Sequence, residues 1–112
     1  MQLCGSQVYG GEIPLSEVES SAMNDYMTRY RPNVRMYVSV HSFGDMVLYP
    51  WGYSGSPGWI DNWQYHHTVG QLWATAIREA TGKNYVVGNI ADVLGNAFGA
   101  SDDHMAGGQR KL

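Results

Sequence analysis

Apolar positions along the chain fall into two helical stripes and three short apolar runs. Val18, Ala22, Tyr26 and Tyr30, joined by Met23 and Met27, recur every three or four residues, the period of a helix with one apolar face. Ser16 and Glu19 form an S-x-x-E capping box at its start, and Pro32 ends it. A second helix is predicted from Asp61 or Asn62 to about Ala80, with a stripe of Tyr65, Val69, Leu72, Trp73, Ala76 and Ile77, and Gly82 just past its end. "VRMYVSV", residues 34–40, is short and β-branched, as a strand buried on both faces would be. "DMVLYPW", residues 45–51, is a second strand candidate broken at Pro50. "NYVVGNIADVL", residues 84–94, is a third, with a glycine interruption. Residues 1–14, "WGYSGSPGW" (51–59) and the glycine-rich end from Gly95 onward are predicted as loop or flexible chain. Helices alternating with short apolar strands predict an α/β fold.

Composition narrows the function classes. The chain has 112 residues, 44% of them apolar, enough for one modest domain or part of a larger one. Charged residues make up 15% and the net charge is −3, which argues against a nucleic-acid partner. No apolar run is long enough to span a membrane. Met1 is not followed by a basic segment and an apolar core, so no signal peptide is visible. Fourteen glycines, four tryptophans and eight tyrosines suit a loop-rich protein with aromatic surfaces. Cys4 is alone. In a reducing compartment it would be an inert thiol. In a secreted protein it would be a free thiol, an intermolecular bridge or half of a pair whose partner is missing.

The candidate chemistry starts at His41, where the apolar run 34–40 meets a small hydroxyl and a glycine. A histidine at a strand end is usually structural, but it is also where a metal ligand can stand. Catalytic zinc takes three protein ligands and keeps a position open for water, so one histidine does not suffice. His66 and His67 are adjacent on a predicted helix and diverge by about 100°, which suits a solvated or half-buried pair. His104 falls in the flexible tail. Asp102 and Asp103 could work as paired carboxylates, although a polar turn is the commoner explanation for two such aspartates. No H-E-x-x-H, C-x-x-C, P-loop or G-x-S-x-G pattern occurs.

"SVHSFGDMVLYPWGY" resembles a segment of the zinc metallocarboxypeptidases of the pancreatic A and B type, in which a strand ends in I-H-S-Y/F and Y-P-x-G-Y follows. "YGGEIPLSEVES" is similar to that family's Y-x-G-x-x-x-x-S-E-V-E segment. "NYVVGNIADVLGNAFGASDD" is similar to the stretch ending S-D-D-W in B-type members. The words recur in order over about residues 4–103. The resemblance implies part of an α/β/α fold with a mixed, mostly parallel central sheet. It places residues 1–104 in a partial catalytic domain and leaves 105–112 as a divergent flexible tail. It makes His41 one zinc ligand and puts Ser42 and Phe43 in the substrate cleft. Asp102 falls where B-type members hold the aspartate that selects a C-terminal lysine or arginine.

The same resemblance implies missing parts. The family's H-x-x-E ligands and arginine grip lie upstream of this segment, and its general-base glutamate follows the S-D-D-W word. Gly95 falls where the family has a loop tyrosine, and His104 where it has tryptophan. The resemblance therefore implies a secreted Zn2+ carboxypeptidase acting on peptide and protein C-termini, of which this chain alone is incomplete and inactive. The alternative is a catalytically dead peptide-binding module on the same scaffold. Cys4 stands where the family has a cysteine paired to one further upstream.

Overall fold

The structure, a computed structural model, describes residues 13–53, 60–97 and 100–107. Its centre is a parallel pair of short strands joined through a long helix. Strand β1 (Met46–Tyr49) pairs with β2 (Val86–Asn89) in the register Met46 to Val86 and Tyr49 to Asn89. Parallel strands need a crossover connection. Helix α2 (Trp63–Thr81) provides it and packs across both strands. This β-α-β unit is the expected α/β architecture.

Helix α2 begins at Asn62 and stops at Gly82, which takes a left-handed φ of +77° and returns its N–H to the Arg78 carbonyl at 2.8 Å. The expected stripe is not the face it buries. Gly70 and Ala74 are the buried positions, whereas Tyr65, Leu72, Trp73 and Ala76 are exposed. Small residues let the helix backbone lie close to the sheet. A Cβ at Gly70 would come within 2.6 Å of Val87 Cγ1.

Helix α1 (Val18–Tyr30) ends as Pro32 predicts, in a 3-10 turn over Arg31–Asn33. The capping box does not form. Glu17 occupies the cap position, one residue later than expected, and Ser16 Oγ bonds the Glu17 carboxylate at 3.0 Å. Helix α1 buries none of its residues.

Three other expectations are corrected. Residues 34–40 form no strand ladder: among the described residues no strand lies beside them, and Val40 is 90% exposed. Residues 84–94 are strand only over Val86–Asn89. Gly88 sits inside that strand opposite Leu48, and Asn89 ends it. The Asn89 carboxamide oxygen caps α3 (Ile90–Val93), accepting from the N–H groups of Ala91 at 2.9 Å and Asp92 at 3.4 Å. The tail is not wholly flexible either: Ser101–Gly107 form α4, so His104 and residues 105–107 are helical. Residues 108–112 and Cys4 lie outside the described residues.

The core lies where β1 leaves the sheet. Tyr49, Trp51 and Ala74 are its buried apolar residues, with Gly52 buried beside them. Gly107 of α4 closes over the Trp51 ring, where an added Cβ would stand 3.7 Å away.

Candidate functional site

The candidate site is assembled from the segment after residue 34, the exit of β1, and α4. His41 is exposed, and its Nε2 lies 2.8 Å from Ser39 Oγ. That contact orients the ring, and no described residue bonds Nδ1. Ser42 is exposed, and Phe43 is 99% exposed, so neither is packed against the described residues. The Ser42–Phe43 peptide is cis.

Asp102 stands in the first turn of α4, half-buried, and its Oδ2 is buried without a hydrogen-bond partner among the described residues. Its neighbour Asp103 is fully engaged. The Gly52 N–H donates to both Asp103 oxygens, at 2.9 and 3.1 Å. Burial pushes the Asp103 carboxyl above its usual range; the Gly52 N–H pulls it down and the Asp102 charge adds to the rise. The two aspartates are thus neither a shared-proton pair nor a turn. One is a structural acceptor and the other keeps a free oxygen.

Further tethers fix α4 in place. Tyr37 donates its hydroxyl to Ser101 Oγ at 2.9 Å, linking the segment that carries His41 to the helix that carries Asp102. His104 Nε2 lies 2.9 Å from Asn24 Oδ1 of α1, and Arg31 reaches the Met105 carbonyl at 3.4 Å. Tyr37, Gly52, Ser101 and Asp103 were not singled out from the sequence for these contacts. Their partners lie 51 to 64 residues away, and no local pattern reports such a pair.

The other histidines stay out of this site. His66 Nδ1 lies 3.1 Å from the Asn62 carbonyl. His67 bridges Tyr49 and Gln71, each at 3.3 Å, as a half-buried structural pair member should. Gly95 has a φ of +87° and open space where a side chain would point, so it presents no hydroxyl. Among the described residues no three histidine, cysteine, aspartate or glutamate side chains converge. A zinc centre is therefore not complete within them, and His41 is a single donor.

Residues 2–111 match the zinc carboxypeptidase family. The chain belongs to that family. It is 38% identical over 103 residues to carboxypeptidase B of Helicoverpa zea, covering 88% of this chain and 24% of that protein. It is 31% identical over 102 residues to carboxypeptidase B of Astacus astacus, covering 91% and 33%. The crystal structure of a carboxypeptidase A from Helicoverpa armigera superposes with a TM-score of 0.77 at 35% identity, over 85% of this chain and 23% of that one. Bovine thrombin-activatable fibrinolysis inhibitor, in complex with a tick carboxypeptidase inhibitor, superposes at 0.82 with 28% identity, over 89% and 33%. This zinc carboxypeptidase chain thus spans a quarter to a third of the length of these relatives. Among the described residues no helix is long and apolar enough to cross a membrane.

Proposed function

We propose that this chain supplies one wall of a secreted zinc carboxypeptidase that hydrolyses the C-terminal residue from peptides and proteins, with a preference for lysine or arginine. The observation that supports this most directly is the Tyr37–Ser101 hydrogen bond, which ties the His41 segment to the Asp102 helix within a chain of this family. In this reading His41 offers Nδ1 as one zinc ligand, and Ser39 holds its ring. Zinc would polarise the scissile carbonyl and acidify a bound water. The other donors and the general base come from residues beyond those described. Ser42 and Phe43 line the cleft. The unpartnered Oδ2 of Asp102 would take up a cationic side chain of the substrate, and an apolar side chain would leave that carboxylate unpaired.

A graft tests the reading: this chain replaces the aligned segment of the Helicoverpa zea relative. The graft should bind one zinc and release C-terminal arginine. His41→Ala should lower zinc affinity by at least about tenfold, since one of three ligands is lost. A graft that binds zinc as tightly with alanine as with histidine at position 41 rules out the ligand role. A graft that holds zinc and binds peptides without cleaving them identifies a binding module instead.

A further inference from the structure

Asp103 has more to do than its neighbour's role requires. Helix α4 has seven residues, too few to persist on its own. It buries no residue completely, so packing alone does not set its place. Its position is set by tethers, and the strongest joins a charged acceptor to a backbone donor. The Gly52 N–H sits between both Asp103 oxygens. Gly52 is in turn fixed on its other side, because its carbonyl accepts from the Ala97 N–H. The Trp51 carbonyl before it accepts from the Ala91 N–H at 3.2 Å. There is no slack around this junction: a Cβ on Gly52 would stand 3.1 Å from Ile90 Cγ2 and 3.4 Å from Asp103 Oδ2. One residue before Asp103, the buried Oδ2 of Asp102 has no partner among the described residues. An oxygen kept out of water and left unpaired carries a desolvation cost that the contacts holding the helix have to offset.

We propose that Asp103 is a positioning residue: by closing its carboxylate on the Gly52 N–H it locks α4 to the exit of β1, and so sets where the Asp102 carboxylate stands. This rests on the reading of Asp102 as the selector of a cationic side chain, and it adds the residue that gives the selector its place. Asp103 itself touches no substrate. The Tyr37–Ser101 bond holds the same turn from the other side and relates it to the His41 segment.

The test uses the graft of this chain in the Helicoverpa zea relative, labelled with nitrogen-15, carrying the unaltered chain as wild type, or Asp102→Asn, Asp103→Ala or Asp103→Asn. Two quantities are read: hydrogen exchange at the Gly52 and His104 amides, and the shifts induced on α4 resonances by Nα-acetyl-arginine. Exchange at Gly52 should be slowest in the wild type and in Asp102→Asn. It should be faster in Asp103→Asn, which keeps one acceptor oxygen, and faster by about tenfold or more in Asp103→Ala. The acetyl-arginine response should vanish in Asp102→Asn, be lost in Asp103→Ala and return in part in Asp103→Asn. A purely structural aspartate would not produce that partial return. If Asp103→Ala does not fold, the wild type and Asp103→Asn decide, and identical Gly52 exchange in the two overturns the proposal. An Asp103→Ala chain that keeps slow Gly52 exchange, or the full acetyl-arginine response, overturns this proposal alone. A wild type without that response, or an Asp102→Asn chain that retains it, overturns the selector reading and this proposal with it.

Discussion

Asp102 and Asp103 show how far two identical neighbours can diverge. Successive helical residues point about 100° apart, so one carboxylate reaches the Gly52 N–H and the other does not. The sequence displays a pair of aspartates but not this division, which depends on a backbone donor 51 positions earlier. The division has a pH signature. Burial raises the Asp103 carboxyl, so between the unfolded and folded titration ranges the folded chain binds more protons than the unfolded one. Stability from this group therefore falls as pH rises through the folded range. It is fully present below the unfolded carboxyl range, near about 3.9. A protonated carboxyl still offers a carbonyl oxygen to Gly52. Asp103→Asn removes the titration, so in the graft the melting temperature of the wild type relative to Asp103→Asn should rise as pH drops from neutral to about 4. A difference independent of pH would contradict the burial argument. Asp102 makes a separate prediction. In the graft, Asp102→Ile should lower kcat/KM for C-terminal arginine by about tenfold or more and raise it for leucine, because the unpaired charge is gone. Unchanged preference would remove Asp102 from the pocket.

At the scale of elements, the legible parts are those whose signals are local. Helix α2 is announced by its period and by Gly82, and α1 by its period and Pro32. The face α2 buries is not its stripe of large residues, which does not meet the sheet. Gly70 and Ala74 meet it, and their value lies in what they lack. Strand β1 is legible as an apolar run; β2 is shorter than its apolar run because Asn89 turns the chain by capping α3 with its own side chain. Helix α4 carries no local signal, since long-range tethers, not periodicity, hold it. The two glycines of α2 give a contrast that checks this account. Ala at Gly70 collides with Val87, a stiff β-branched side chain, at a cost of about 1–3 kcal/mol that the better helix propensity of alanine offsets in part. Ala at Gly82 meets nothing within 4 Å but must adopt a left-handed φ, costing about 1 kcal/mol. Adding Val87→Ala should restore much of the loss in Gly70→Ala and none of the loss in Gly82→Ala, read from urea midpoints of the graft. Equal recovery in both would mean that α2 does not approach the sheet this closely.

At the scale of the molecule, what the chain buries and what it leaves open are out of proportion. Among the described residues the buried apolar side chains are Tyr49, Trp51 and Ala74, whereas Val18, Tyr26, Met36, Val40, Phe43 and Leu72 all stand more than half exposed. A two-stranded sheet is marginal in water by itself, and the one helix packed on it leaves these apolar side chains open. The run 34–40 has the composition of an interior strand, and its misreading has this physical origin. Its residues suit a doubly covered strand, while the described residues offer no strand beside it. The relatives that this chain matches are three to four times longer, which is the scale of protein needed to cover such a surface. The isolated chain should therefore melt over a broad range without a sharp midpoint, bind the dye ANS at neutral pH and self-associate at micromolar concentration. Within the graft the same residues should be covered, and ANS binding should fall toward that of the intact relative. A chain that melts cooperatively as a monomer and ignores ANS would show that these apolar side chains find each other unaided. His41 would then stand at the edge of a finished domain, with no surface left open beside it to bring the other zinc ligands.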